Sequence, residues 1–506
     1  MERTRTQDFN LAGQSRYSLM VVAATSAVLL LVAALSSLEQ YEVMIAVGGI
    51  ALGLCLVTIK AERLALLWFA LTPIASYYFR YPAQKSIVTF DRVSISLIVI
   101  ALIFRAVSSK RKLPTISLFE IFWGLFTVVA LVSVARMSFD PEYSAGYALR
   151  TAVDGFLLPL ALFFVTKNYF DSRAHSKSLM LASSLVGIYL FVLGLYEFIF
   201  EEDLFPIKDA AFIREGFVRA NGPFTTDNSY AIICLLLFFL IYFLPRLGEF
   251  QLDRASETLR RITLAMIGAA TLIPLFRVII IALIVGLLLP LAIAYGRKWV
   301  ITFLGVVFAL GAIILLPVAG LLTATDIFQD RVANPDNIYG RMATYIAALK
   351  IAADSPITGI GLENYTPYFL EKFYGKDSEP DAEVTVEGVV AIENPHSNIF
   401  AVLSELGLIG LLLYLAANIY LLKIGISLIK SATTKAQHWI GVCFVVLYLA
   451  YWIPGLTLTS GYYSDLNLYF FFLLGFLINR ARAQAPSAQR PMSDVLPAAV
   501  NIGHRT

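Results

Sequence analysis

Charge is what this chain most lacks. Asp, Glu, Lys and Arg make up 15% of its 506 residues, against about 25% in an ordinary soluble domain. With 58% hydrophobic residues and a mean hydropathy of +0.74, a soluble fold would have no surface to offer water. Cysteine is scarce as well. Cys55, Cys234 and Cys443 all fall inside apolar runs, so none can staple an outer loop and none has metal-ligand spacing. There is no Walker loop, no dinucleotide fingerprint and no His/Cys/carboxylate cluster with metal spacing, which argues against an ATP-driven pump and a zinc protease. The short alternating segments of a transmembrane barrel are missing too. The net charge of +3 says little by itself.

What is present is a series of apolar runs near 20 residues, each long enough to cross a hydrocarbon core of roughly 30 Å. We expect an all-α, polytopic integral membrane protein of about 14 transmembrane helices. The spans fall near 17–38, 41–59, 63–79, 88–108, 113–134, 150–166, 177–200, 228–247, 261–276, 277–295, 299–317, 397–422, 437–453 and 467–479. The first run follows Arg3, Arg5 and Arg16, is longer than a signal-peptide core and lacks a clear cleavage site, so it reads as a retained span. With the N-terminus in the cytoplasm, every inside segment is basic, from Lys60 and Arg63 to Arg480, Arg482 and Arg490. The positive-inside rule then places both termini in the cytoplasm. The chain divides into an N-terminal bundle of about 11 spans (1–317), a large outer loop (318–396), C-terminal helices (397–480) and a polar tail (481–506) expected to be disordered.

The outer loop carries the densest pattern. Met342, Tyr345, Ile346, Leu349 and Ala353 stand at helical spacing, predicting an amphipathic helix from Arg341 to Ala353 on the membrane surface or across the bundle mouth. Asp354-Ser355-Pro356 ends it, and Thr358-Gly359-Ile360-Gly361 is a turn where backbone can approach a ligand closely. Glu371 to Glu387 reads as an acidic, loop-like insertion.

Arg277 interrupts the apolar tract 262–295. An Arg in a span costs at least about 2.5–3.5 kcal/mol on insertion scales, so it is functional, paired or snorkelling. As a planar fork it suits phosphate oxygens, and Arg341 adds a second cation on the same side. The alternatives are an interfacial Arg277 and an Arg341 paired with Asp336 or lipid phosphate. His396, in Glu393-Asn394-Pro395-His396-Ser397-Asn398, precedes span twelve, where Ser397 or Asn398 can cap the helix. The helix dipole favours a neutral imidazole there, able to accept a proton from a sugar hydroxyl; a capping His is the bland alternative. His396 is the only one of four His on the outer side. Glu405, about two turns into that span, faces the bundle, either holding the helix in register or acting in catalysis. Arg219-Ala220-Asn221-Gly222-Pro223-Phe224 forms a tight outer turn leading to Asn228, with Arg219 as a further anion ligand or a solvated loop residue.

These stretches resemble the O-antigen ligase and polymerase superfamily of bacterial envelope glycan enzymes. Asn394-Pro395-His396-Ser397-Asn398 with Glu405-Leu406-Gly407-Leu408-Ile409-Gly410 is similar to the family's His-Asn…Glu-x-Gly-x-x-Gly motif. Arg341, Tyr345, Pro356 and Gly359-Ile360-Gly361 are similar to its Arg…Pro-x-x-Gly-x-Gly loop, and the 219–228 turn to its Arg-x-x-Gly-x-Phe…Asn turn. Phe276-Arg277 matches the family's Ser-Arg at the Arg alone, and Ser397 follows His396 where Asn is common. The resemblance covers roughly 215–425. It implies transfer of a glycan from an undecaprenyl diphosphate-linked donor on the outer face of the bacterial inner membrane, with inversion. The acceptor would be a glycan or a lipid A-core sugar. Arg277 and Arg341 would hold the diphosphate and His396 would orient or deprotonate the acceptor hydroxyl. Substrate contacts are assigned to Arg219, Asn228, Asn398, Glu405 and Tyr345. No cofactor, no metal and no nucleic-acid partner is expected; membrane lipids are. A ligase and a repeat-unit polymerase share this chemistry, with the ligase as the first reading. A secondary transporter is the reading from another class, disfavoured because no internal repeat is evident.

Overall fold

The computed structural model describes residues 61–81, 88–108, 114–140, 143–202, 213–214, 217–218, 220–224, 226–248, 252–274, 276–295, 336–373, 385–386, 389–391 and 394–484, with the single residues 204, 298, 301 and 305. The spans expected at 17–38, 41–59 and 299–317, together with Cys55, lie outside the described residues or nearly so.

Backbone contacts group the chain into two units, Met1–Ser109 and Lys110–Thr506. In the first, α1 (Ala61–Tyr78) and α2 (Phe90–Ser108) pack together across a small hairpin of β1 (Arg80–Tyr81) and β2 (Val88–Thr89). Asp91 fixes the pair. Its carboxylate accepts from Trp68 Nε1 at 2.9 Å, Thr72 Oγ1 at 3.1 Å and Ser76 Oγ at 2.6 Å. A carboxylate among apolar residues is tolerated when its oxygens are satisfied in this way.

The second unit is a helical bundle. It comprises α3 (Leu118–Met137), α4 (Ala145–Tyr169), α5 (Ser172–Phe200), α6 (Asp227–Phe243), α7 (Arg254–Leu272) and α8 (Arg277–Tyr295). The outer-loop helices α9 (Asp336–Asp354) and α10 (Tyr365–Phe373) follow, and then α11 (Asn398–Lys430), α12 (Lys435–Gly455) and α13 (Ser464–Ala483). Two-residue hairpins β3/β4 (Ile213–Arg214, Phe217–Val218) and β5/β6 (Thr385–Val386, Val389–Val390) decorate the loops. Among the described residues, 6 helices are long and apolar enough to cross a membrane: α3, α4, α5, α11, α12 and α6 with its 3-10 extension to Arg246. The all-α membrane class is therefore seen, while the full set of 14 spans is not.

The two ends of this bundle differ. At one end Glu120 and Lys167 form a buried ion pair. Arg482 donates to Thr115 and Asn168, Asn479 bonds Lys167 O and Ser172, and Arg480 reaches Leu247 O. This end gathers Arg173, Lys177, Arg246, Arg254, Lys430 and Lys435 at helix termini. The other end collects the C-termini of α3, α5 and α12, the N-termini of α6, α11 and α13, and the loop helices.

The tract around Arg277 resolves into two helices separated by a turn, with Arg277 opening the second. α7 starts at the basic end, where Lys177 lies 3.7 Å from Asp253. Nineteen residues at roughly 1.5 Å each carry α7 across the bundle, so Arg277 emerges at the opposite end.

One expectation changes. The loop helix starts at Asp336, placing Arg341 inside its second turn. On this helix Ala343, Thr344, Ala347, Ala348 and Ile351 pack inward, while Met342, Ile346, Leu349 and Ala353 are exposed. Small residues let α9 approach α11 closely, and the bulky apolar stripe points away, the arrangement of a helix at lipid level.

At φ 64°, ψ −165°, Gly407 breaks α11. That backbone region is essentially restricted to glycine. The loop after α9 docks into the break. Ile360 N–H donates to Ser404 O (3.0 Å), Gly361 N–H to Glu405 O (2.9 Å), Leu408 N–H to Pro356 O (2.8 Å) and Ile409 N–H to Ile357 O (3.3 Å). These bonds satisfy groups that the broken helix leaves without partners. A side chain on Gly407 would overlap the Ile357 carbonyl, and one on Gly359 (φ 69°) would overlap the Glu405 carbonyl. Gly407→Ala is expected to lose roughly 2–4 kcal/mol of stability. Gly146→Ala, which meets nothing within 4 Å, should be near neutral. Thermal unfolding of both detergent-purified variants checks this, and equal melting temperatures would contradict the interlock.

Candidate active site

The docked loop is the floor of the site. α3 holds it from below: Leu362 N–H donates to Ser133 Oγ (3.1 Å), and Arg136 donates to Thr358 Oγ1 (2.6 Å) and Gly359 O (2.6 Å). Tyr143 adds a bond from its hydroxyl to Leu362 O at 2.7 Å. So secured, the chain turns at Glu363 with φ 58°, a left-handed value uncommon for a non-glycine residue. Glu405 reaches across from α11, where its Oε1 accepts from Tyr365 N–H at 3.3 Å, at the start of α10.

A cavity of about 160 Å³ opens above this floor. Its walls include Glu363, Glu405, Tyr365, Thr366, Asn394 and Pro395, together with Tyr147 and Thr151 from α4 and Thr459, Tyr462 and Tyr463 between α12 and α13. Residues far apart in sequence converge because α4 carries a π-helical turn at Thr151–Leu157, the sort of bulge that collects at functional sites. Thr151 Oγ1 donates to Glu363 Oε1 at 2.7 Å. Asn467 ties the back wall, donating to Gly155 O (2.8 Å) and Gly461 O (2.7 Å).

His396 stands at the rim, half-buried, in a left-handed conformation with φ 46°. Its N–H donates to Asn394 Oδ1 at 3.0 Å, a local turn that also receives Thr459 Oγ1 at 3.4 Å. A second non-glycine residue held at positive φ beside the same cavity marks a conformation that the surroundings impose. Tyr345 stacks on Phe400 with ring centroids 4.6 Å apart, and its hydroxyl lies 3.5 Å from His396 O. Arg341 is one turn away on α9, close enough for its charge to act on that hydroxyl.

Arg341, Tyr345, His396, Asn398 and Glu405 are thus brought together, and Arg277, exposed, opens α8 at the same end. Asn228 is joined to the wall through a bond to Tyr463. Asn398 is engaged differently from a helix cap. Its Oδ1 accepts from Gly461 N–H at 2.8 Å, and Gly455 and Gly461 close on it. Arg219 lies outside the described residues; Glu197 Oε2 grips the rest of its turn, accepting from Asn221 and Gly222 N–H at 2.8 Å each. Among the described residues no His/Cys/Asp/Glu group gathers that could hold a metal ion.

Glu363, Tyr365 and the Tyr462-Tyr463 pair escaped sequence reasoning. The available signals were an acidic residue two positions past Gly-x-Gly and a Tyr pair in the short link before the last span. Burial holds the Glu363 carboxyl above its usual range, partly offset by the Thr151 hydrogen bond. A raised carboxyl favours the protonated folded state. Its stabilisation is present below the ordinary Glu value of about 4.3 and declines as pH rises through the folded value. Glu363→Gln, which is permanently neutral, should therefore gain stability relative to wild type as pH rises above about 4.3. Melting curves from pH 4 to 8 check the sign, and a constant difference would contradict it.

Residues 262–415 match the family model described as O-antigen ligase. No curated protein matches the chain.

Proposed function

We propose, on the premise that residues 262–415 are an O-antigen ligase domain and place the chain in that superfamily, that the protein is a glycan ligase of the bacterial inner membrane. It transfers a saccharide from an undecaprenyl diphosphate carrier to a sugar hydroxyl, a glycan or lipid A-core acceptor, at the periplasmic face. The observation that carries this reading is the grouping of His396, Arg341 and a carboxyl-lined cavity at the bundle end opposite the basic helix termini. Basic termini belong on the cytoplasmic side, which leaves the cavity outside.

In this reaction the acceptor oxygen attacks the anomeric carbon in line, and its proton passes to the His396 imidazole. The bond from that carbon to the phosphate oxygen breaks, and the lipid diphosphate departs with the electron pair. Arg277 and Arg341 neutralise the developing charge, and such preorganised cations supply most of the stabilisation. A diphosphate neutralised in this way leaves readily, so neither nucleotide nor metal is required, and chelator should leave the rate unchanged. The half-buried setting of Arg341 next to Tyr345 strengthens its field relative to bulk water.

Arg277→Ala, Arg341→Ala and His396→Ala should each lower transfer by about 100-fold or more at normal protein level. The measurement is a deletion strain complemented with each variant, its surface glycan and lipid-carrier pool run side by side. Long chains stranded on undecaprenyl diphosphate mean a ligase, whereas single repeat units mean a polymerase. A normal pattern with His396→Ala would contradict the proton-accepting role, and full activity of both Arg variants would contradict the diphosphate clamp.

A further inference from the structure

The cavity beside His396 has a chemistry of its own. Its walls carry two carboxyl groups, four Tyr and several small polar side chains, and no Lys, Arg or His. A diphosphate therefore does not belong in it; the cations proposed for that group sit elsewhere at this end of the bundle. Among the wall residues, the Tyr365 hydroxyl, on a residue 1% exposed, has no hydrogen-bond partner. Glu405, 4% exposed, and Tyr462 lie within hydrogen-bond reach of each other. Buried polar atoms are normally paired, so the Tyr365 hydroxyl is available to an occupant. The volume, about 160 Å³, is several times the roughly 10–15 Å³ that one water needs on this measure, which leaves room for a six-membered sugar ring.

We propose that this cavity seats a single pyranose unit of the acceptor, with neighbouring hydroxyls donating to Glu363 and Glu405 and one accepting from Tyr365. The assignment rests on the glycan-transfer reading for the word acceptor. The seat itself rests on the lining. Sugar hydroxyls both donate to and accept from buried carboxyl groups, so two carboxyls in one wall can fix the orientation of a ring. The tyrosine faces offer the flat apolar surface that the C–H side of a sugar ring covers. Asn394 and Pro395 belong to the wall, and His396 is the next residue in the chain. Glu363 and Tyr365 are in this view specificity determinants, selecting which acceptor sugar and which of its hydroxyls reacts.

The test uses full-length protein in nanodiscs and two probes. Methyl glycosides of glucose, galactose, mannose and N-acetylglucosamine report on the cavity by saturation-transfer NMR. Sugar-free undecaprenyl diphosphate, retained and counted by native mass spectrometry, reports on the diphosphate site. At least one glycoside should receive saturation from wild type. Its affinity should fall about tenfold in Tyr365→Phe and in Glu363→Gln, the effect of one strong hydrogen bond, with lipid diphosphate binding unchanged. Tyr365→Phe removes a single unpartnered oxygen, and an unchanged melting temperature shows that it is folded. Silence from every glycoside, or equal signals in wild type and both variants, overturns the sugar seat while leaving the ligase reading intact if lipid diphosphate still binds. Glycoside binding lost in the variants, with no binding of lipid diphosphate by wild type, keeps the seat and overturns the ligase reading.

Discussion

The break in α11 at Gly407 is the constraint on which the site depends. A span interrupted within a membrane protein exposes backbone groups that lipid cannot satisfy. Here the loop after α9 supplies them, through four backbone hydrogen bonds between 356–361 and 404–409. The arrangement works in both directions. The loop has no regular structure of its own and would be mobile without the broken helix, and the broken helix would be untenable without the loop. Glycines at 359, 361 and 407 allow the approach, all with positive φ. Once docked, the loop places Glu363 against Thr151 and Tyr365 against Glu405, and the cavity follows.

The rest of the bundle separates two electrostatic jobs. The basic end is closed by the Glu120–Lys167 pair, by Arg482 on the Asn168 side chain and by Arg480 on the Leu247 backbone carbonyl. Removing one partner of such a buried pair leaves an uncompensated charge, a loss of about 3–5 kcal/mol. That end reads as structure and as the determinant of orientation. The other end keeps Glu363 and His396 in strained conformations, while unpaired polar atoms occur at both ends. Strain persists where surrounding structure imposes it, and it concentrates where substrates bind.

Much of this was legible in the chain. The apolar runs predicted helices that the structure shows, and the motifs around Arg341, Gly359-Ile360-Gly361, His396 and Glu405 were recognised separately. Their physical connection was not legible, because four backbone hydrogen bonds between a loop and a span leave no side-chain pattern to read. The stripe of Met342, Ile346 and Leu349 was legible as one face of α9; the inward face of Ala343, Ala347 and Ala348 was not, because small residues carry little hydrophobic signal. Glu363 sat two positions beyond a recognised motif, and its partner Thr151 comes from a helical turn over 200 residues away. Of the two residues the sequence offered as a helix cap, Ser397 takes the N-cap position and Asn398 accepts from Gly461 N–H.

The central claim is that this cavity end performs glycan transfer driven by departure of a lipid diphosphate. Its most direct test is a reaction with purified full-length protein, an undecaprenyl diphosphate-linked saccharide and a sugar acceptor. The quantities measured are lipid diphosphate released and glycosidic bond formed. The account predicts one lipid diphosphate released for each bond formed, and neither from the His396→Ala protein. Saccharide that remains on its carrier in the presence of active, folded protein and acceptor would contradict it.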